Sequence, residues 1–385
     1  MEDKHSETYS EYLVLNTPLS LYLHFPWCIS KCPYCDFNSH KLKGDIPEQK
    51  YIETLLRDLS KEAERETRSN LYSIFMGGGT PSLFSASAID DLFAGIKSKF
   101  NFDESEITLE SNPGSFDQAN FDGYREAGIN RLSIGAQSFS TEALNRLGRI
   151  HNPDDIERAY AGARKAGFSR INIDLMHGLP GQSLENAIYD LKKAIDLGPE
   201  HISWYQLTIE PNTRFYKYPP ILPRDTILEE IFHTGNDLLE NAGFIKYEVS
   251  AYSLDSEESL HNLNYWQFGD YLGVGAGAHG KITRNQKIIR TSKNKMPAEY
   301  IDNPVGKLRE VDPRELTIEF LLNALRLTKG FSLSLFRNTT GLTTKSLEPF
   351  LEKAIMEGFL TRNLDEIKPT TKGQLFLNDL LLLVE

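Results

Sequence analysis

The sequence predicts an α/β protein: a mostly parallel sheet, doubly wound or rolled into a partial barrel, followed by a small helical module. Three observations predict it. Strand, loop and helix patterns alternate through six strands between residues 19 and 206, the arrangement that builds parallel sheets. Polar and glycine-rich residues fall just after those strands, where such sheets gather their ligands. Beyond about residue 310 the pattern changes to helix, helix and two short strands.

Residues 1–17 are polar and without periodicity, which predicts a flexible N-terminal tail. The apolar run Leu19 to Phe25 is the first strand and delivers a loop holding all the cysteines. A helix over 47–65 follows, with Tyr51, Leu55, Leu56 and Leu59 at helical spacing. Its acidic residues come early and Arg65 late, as the helix dipole prefers. A second strand over 71–76 runs into Gly77, Gly78, Gly79 and Thr80, then a helix over 85–99 carries Ile89, Leu92, Phe93 and Ile96 on one face. The third strand, 107–110, exits through Asn112-Pro-Gly to a helix over 116–127 that Gly128 stops. Strands over 131–135, 170–174 and 201–206 complete the set, with helices over 154–166 and 184–196 ended by Gly167 and Gly198.

From Thr208 the pattern breaks. Pro211, Pro219, Pro220 and Pro223 mark an irregular crossing before a helix over 226–242. Lys246 to Tyr252 alternates like a strand, His261-Asn-Leu-Asn-Tyr-Trp266 follows, and Tyr271 to Gly280 carries glycines that need either close backbone packing or a ligand. Helices over 313–327 and 342–357, short strands over 358–361 and 366–369, and a last helix over 371–382 make a winged-helix pattern. Glu348, Glu352 and Glu357 on its second helix favour a structural or docking role over nucleic-acid binding. The expected division is a tail over 1–17, a barrel over 18–210, an extension over 211–305 and the C-terminal unit over 306–385.

A chain of 385 residues suits one large domain and a small one. Its 42 basic and 54 acidic residues give a net charge of −12, which argues against a nonspecific polyanion binder. No apolar run predicts a transmembrane segment, and the polar start predicts no signal peptide. Cys28, Cys32 and Cys35 are the only cysteines; they form no disulfide framework and imply a reducing cytosol.

Three thiolates in a Cys-x3-Cys-x2-Cys run, with no fourth thiol, argue for a metal centre with one coordination position open. A structural zinc closed by His24 or His40 is the alternative, although zinc sites normally use evenly paired ligands. A 4Fe-4S cluster on three thiolates leaves one iron free, and here the motif resembles the radical S-adenosylmethionine superfamily, in which the methionyl amine and carboxylate chelate that iron. By that resemblance the glycine triplet receives the methionyl group of S-adenosyl-L-methionine. Glu110, Gln137 and Asp174 serve its amine and ribose hydroxyls, and Arg149 meets a carboxylate. His151 is read instead as helping to begin the helix at Pro153.

The likeness extends over nearly the whole chain. His24 to His40 reads His-Phe-Pro-Trp-Cys-x3-Cys-Pro-Tyr-Cys-Asp-Phe-Asn-Ser-His, followed by Gly-Gly-Gly-Thr-Pro-Ser, Glu-Ser-Asn-Pro-Gly, Gly-Ala-Gln-Ser-Phe, Leu-Gly-Arg-x-His and Asp-Leu-Met-x-Gly-Leu-Pro-Gly-Gln. These motifs resemble the oxygen-independent coproporphyrinogen III oxidase-like family, and within it a heme-chaperone branch. The resemblance implies a partial (β/α)6 radical SAM barrel with a small C-terminal winged-helix-like domain. It implies Cys28, Cys32 and Cys35 as cluster ligands, and a cofactor site of Tyr22, Tyr34, Gly78, Gly79, Thr80, Glu110, Gln137, Arg149 and Asp174, with further contacts near Thr208 and Gly277.

Two departures separate the branches. The decarboxylating oxidases carry one more cysteine two positions after the last cluster cysteine, where this chain has Phe37, and a longer segment before the cluster. His261-Asn-x2-Tyr265-Trp266 is similar to the HNxxYW motif of the chaperone branch, which implies heme handling through His261, Tyr265 and Trp266. The expected function is therefore a heme chaperone that binds heme, a 4Fe-4S cluster and S-adenosylmethionine and hands heme to apo-hemoproteins, membrane respiratory proteins among them. Its expected location is the cytoplasm, peripheral at the inner membrane, with no nucleic-acid partner. The alternative is a radical enzyme acting on a porphyrinogen.

Overall fold

The computed structural model describes residues 17–115 and 118–384. Apart from Thr17, the expected N-terminal tail lies outside the described residues, as do the first two positions of the helix expected over 116–127. The six expected strands are present as β1 (Leu19–Phe25), β2 (Ser73–Gly78), β3 (Glu106–Ser111), β4 (Arg131–Gln137), β5 (Arg170–His177) and β6 (His201–Gln206). They pair in parallel in chain order, with Leu21 opposite Ile74, Ile74 opposite Ile107, Leu109 opposite Leu132 and Ile173 opposite Ile202.

Side chains alternate across a strand, and here the two faces differ in kind. Leu21, Leu23, Ile74, Met76, Ile107, Leu109, Leu132, Ile134, Ile171 and Ile173 belong to one buried apolar core that the helices cover. The other face carries Ser20, Tyr22 and His24 on β1, Glu106, Thr108 and Glu110 on β3, Ser133 on β4, Asn172 and Asp174 on β5, and His201 and Ser203 on β6. A doubly wound sheet would bury apolar residues on both faces. The polar face selects the partial barrel, whose lumen holds these groups.

Six further strands complete a single twelve-stranded sheet: β7 (Ile245–Glu248), β8 (Ala251–Ser253), β9 (Asp270–Gly275), β10 (His279–Arg284), β11 (Lys287–Ser292) and β12 (Lys307–Glu310). The sequence reading missed that β9 is parallel to β1 and lies beside it, with Gly273 opposite Tyr22. The glycines of this stretch serve close packing: a Cβ on Gly273 would lie 1.8 Å from the His279 carbonyl oxygen. Antiparallel β10, β11 and β12 extend that edge, and β8 and β7 extend the other beyond β6.

The His261 to Trp266 segment is not separate from the barrel. It forms the helix Leu260–Trp266, capped by Ser259. Glu106, at the start of β3, accepts a hydrogen bond from the His261 backbone N–H at 3.1 Å. This helix therefore closes the lumen at the amino ends of the strands.

The C-terminal unit differs in detail from its expected pattern. An additional helix, Leu333–Thr340, is held by its Ser332 cap and by buried Phe336. The helix expected over 342–357 starts only at Glu348, just before Pro349, with a 3-10 turn ahead of it. The last helix breaks at Phe376 into Thr371–Leu375 and Leu377–Leu381. The wing, Leu360–Asn363 with Glu366–Pro369, gains Phe331–Ser332 as a third strand.

Candidate functional site

The cysteine loop leaves β1 and is closed at its base, where Trp27–Cys28 pairs with His40–Lys41. Lys31 Nζ donates to the Phe37 and Ser39 carbonyls at 3.2 and 3.0 Å, and Asn38 Nδ2 donates to the Ala276 carbonyl at 2.9 Å. The Lys31 bonds brace the loop internally, and the Asn38 bond ties it to the turn between β9 and β10. The thiols of Cys28, Cys32 and Cys35 are free and half-buried, and all three line a cavity of about 480 Å³ at the carboxyl ends of the strands.

Arg149 joins the cysteine loop to the neighbouring wall. It donates to Cys32 Sγ at 3.4 Å, Tyr34 Oη at 3.4 Å, Asn112 Oδ1 at 3.0 Å and the Gly135 carbonyl at 3.1 Å. Thr80 Oγ1 donates to Cys28 Sγ at 3.5 Å. Desolvation pushes the Cys28 thiol pKa up, and this hydrogen bond pulls it back down. Gly78, Gly79, Glu110, Gln137 and Asp174 line the same cavity. The Gly78 N–H donates to Glu110 Oε2 at 3.1 Å. Burial, and then the nearby Asp174 carboxylate, raise Glu110 to about 8. Asp174 is also pushed upward by burial, against hydrogen bonds from Ser133 at 2.7 Å and Asn172 at 2.8 Å. Gln137 sits in the left-handed region at φ 69°, a strained conformation for a non-glycine residue, with its side chain held by the Tyr205 hydroxyl at 2.8 Å.

Tyr22 reaches a second, adjoining cavity of about 370 Å³, which Gly78 and Glu110 also line. Its orientation comes from His24. The Asn38 carbonyl can only accept, so His24 Nε2 donates to it at 2.9 Å, and Nδ1 accepts from the Tyr22 hydroxyl at 3.0 Å. Gly277 also lines this second cavity, whereas Thr208 is exposed and lines neither.

The three residues of the HNxxYW motif part company. Tyr265 lines the second cavity. His261 is buried and stacked on Phe75 with ring centroids 5.0 Å apart. Both of its ring nitrogens are engaged, with Ser73 Oγ at 2.8 Å and Tyr265 Oη at 3.0 Å, and burial lowers it to about 3. Trp266 lies 4.3 Å beneath the Arg326 guanidinium, against the C-terminal unit. Sequence reasoning missed Asn112, Ser133, Ser203 and Tyr205 in the first cavity wall. The signal available was a polar residue on the strand face opposite the apolar one.

The residues fit the group that the cysteine motif implies. Among the described residues no three His, Cys, Asp or Glu side chains are placed to hold a single metal ion. The three thiols instead share the wall of a cavity with room for more than one ion, beside a half-buried guanidinium that offsets thiolate charge.

A half-buried cysteine triplet at the carboxyl ends of a partial barrel defines a radical SAM protein. The Radical SAM superfamily matches residues 22–194, and the HemN C-terminal domain matches 311–376. That membership implies a 4Fe-4S cluster and S-adenosylmethionine as cofactors. The heme chaperone HemW of Escherichia coli is 47% identical over 367 residues, spanning 94% of this chain and 97% of that protein. HemW of Bacillus subtilis is 33% identical over 374 residues, with 94% and 97% covered. The coproporphyrinogen III oxidase HemN of Escherichia coli, a radical SAM enzyme, shares the fold at a TM-score of 0.81 with 21% identity, covering 98% of this chain and 94% of that one. The chain belongs to the HemW family of heme chaperones.

Proposed function

We propose that this protein binds heme as cargo and delivers it to apo-hemoproteins, with the cluster site as a resident centre beside the cargo. The observation that carries the reading is the second cavity, with Tyr22, Phe37, Tyr265 and Tyr271 on its walls, directly against the thiol-lined one. Flat aromatic faces suit a porphyrin. The names of the relatives agree with it.

Cys28, Cys32 and Cys35 would hold the cluster. Gly78, Gly79, Thr80, Tyr22, Glu110, Gln137, Asp174, Arg149 and Tyr34 would hold S-adenosylmethionine. When bound, the pair supplies one-electron reducing chemistry. Glu110 then receives a cationic amine as its carboxylate, and Arg149 sets the charge balance at Cys32 and Tyr34. His261 acts on the cargo through Tyr265, whose hydroxyl it orients, and Trp266 joins the motif to the C-terminal unit through Arg326.

The division into barrel (18–210), extension (211–305) and C-terminal unit (306–385) belongs to this reading. A second apolar cluster built on Phe320, Phe336 and Leu351, to which Phe268 and Ile288 of the extension also contribute, supports the last of these boundaries. Among the described residues no helix is long and apolar enough to cross a membrane. We place the protein in the cytoplasm, peripheral at the inner membrane, where respiratory apoproteins would receive the heme.

The test offers the reconstituted protein coproporphyrinogen III, reductant and S-adenosylmethionine, and measures vinyl products and 5'-deoxyadenosine. In parallel, the heme-loaded protein is mixed with an apo-hemoprotein. Heme transfer without decarboxylation is expected, and stoichiometric decarboxylation would overturn the reading in favour of the enzyme.

A further inference from the structure

His261 is the histidine that the motif singles out, yet its surroundings do not suit an iron ligand. It is 1% exposed, sits at the amino ends of the strands and has both nitrogens hydrogen-bonded. Freeing either nitrogen would break a hydrogen bond inside the barrel, to Tyr265 or to Ser73, which also bonds Ser20 Oγ at 2.8 Å, at a cost of about 1 kcal/mol.

Another histidine meets the requirements that His261 fails. His279 opens β10, immediately after the turn that carries Gly277, on the same rim as the cysteine loop. It is exposed and lines the second cavity beside Tyr22, Phe37, Tyr265 and Tyr271. No hydrogen bond holds its ring among the described residues, so its nitrogens are free. Lys295, also exposed, lines the same cavity and is near enough to His279 to act on it electrostatically. Partial burial, then Lys295 and Arg290, lower the His279 pKa from its ordinary value, which favours the neutral imidazole; only the neutral ring has a lone pair for iron.

Neighbouring parts of the fold keep this wall in place. Tyr271 is edge-on to Tyr265 at 4.4 Å, and its hydroxyl accepts from Arg290 at 3.1 Å. The cavity, about 370 Å³ and open to solvent, falls within the roughly 300–1,000 Å³ usual for ligand sites. An imidazole, aromatic faces and an ammonium match the three parts of heme: an iron, a flat macrocycle and peripheral carboxylates.

We infer that His279, and not His261, supplies the axial ligand to heme iron, with Lys295 facing a heme carboxylate. This rests on the heme-carrier reading above. His261 is then a positioning residue that aims Tyr265 at the macrocycle.

The experiment adds ferric heme to the anaerobically reconstituted full-length protein and follows the Soret difference spectrum. Resonance Raman of the ferrous complex then reads the iron–histidine stretching band. In His279→Ala the band disappears and Kd rises at least about tenfold, since even outer-shell partners of metal ligands cost that much. Added imidazole restores the band, and His279→Met gives a methionine-type spectrum. His261→Ala keeps the band. The thiolate-to-iron absorption, recorded before heme is added, verifies that each variant is folded. A band retained in His279→Ala, or lost only in His261→Ala, overturns this inference and leaves the carrier reading standing. A wild-type protein that takes up no heme overturns both.

Discussion

Gly78→Ala tests the packing that joins the two cavities. Gly78 has φ +106°, and a Cβ built there would lie 2.3 Å from His24 Cε1 and 2.5 Å from Nδ1. The ring cannot swing aside cheaply, because its nitrogens are held by the Tyr22 hydroxyl and the Asn38 carbonyl. The left-handed backbone costs an alanine about 1–3 kcal/mol, and the overlap a similar amount. A displaced His24 also forfeits about 1 kcal/mol of hydrogen bonding. The combined loss, on the order of 3–7 kcal/mol, lowers the melting temperature by roughly 4–9 °C in a chain of this length. Gly167→Ala is the control: φ is +88° there, but no atom lies within 4 Å of the new Cβ, so only the backbone part of the loss applies. Differential scanning calorimetry of both variants isolates the overlap. The double variant Gly78→Ala with His24→Ala should recover part of it. If Gly78→Ala melts like Gly167→Ala, the contact with His24 does not have the importance assigned to it.

Four further outcomes are expected. Glu110, raised to about 8 from an ordinary 4.5, is protonated at pH 7. A bound cationic amine favours its carboxylate, so S-adenosylmethionine binding releases a proton, and affinity climbs with pH up to about 8 before levelling. Titration calorimetry in buffers of different ionisation heat measures that proton, and equal release from Glu110→Gln would refute the assignment. Without ligand, the raised pKa makes this group's contribution to stability full below about 4.5 and lost as pH rises through about 8, so Glu110→Gln should flatten that part of the stability profile. Asp270→Asn leaves buried Lys281, bonded to Asp270 at 2.8 Å, without its counter-charge, while Arg68 loses a 2.9 Å partner. The expected destabilisation is about 3–5 kcal/mol at pH 7. Because Lys281 and Arg68 hold the Asp270 pKa down, the wild type's advantage should shrink in acid as pH falls through that lowered value, which chemical denaturation can check. Finally, Phe37→Cys should not create coproporphyrinogen decarboxylase activity. Orienting a large tetrapyrrole takes many contacts, and a misplacement of about 1 Å can cost on the order of a hundredfold; measurable turnover by this variant would contradict the expectation.

Much of the architecture was legible because it is written in local pattern. β1 and β6 have the same bounds in the sequence reading and in the structure, and the helices ended by Gly167 and Gly198 stop within a residue or two of them. Capping and periodicity act over a few residues, so a single sequence displays them. The helix Leu333–Thr340 escaped notice because Asn338, Thr339 and Thr340 form helix poorly; burial of Phe336 in the C-terminal core holds it.

The site divides along the same line. The cysteine spacing alone pointed to a centre with an open position, since ligand count and spacing are properties of the chain, and the structure brings those thiols to one cavity with Gly78, Glu110 and Asp174. Spacing could not disclose that β9 returns beside β1, 251 residues later in the chain by the pairing of Leu19 with Asp270. That pairing brings β10 and His279 to the open rim, while the helix Leu260–Trp266 closes the lumen and Ser73 and Tyr265 engage both nitrogens of His261. A histidine's residue type is set by sequence, but its freedom to bind depends on which neighbours the fold places against its two nitrogens: for His261 these are Tyr265, four residues on in its own helix, and Ser73, far off in the chain on β2.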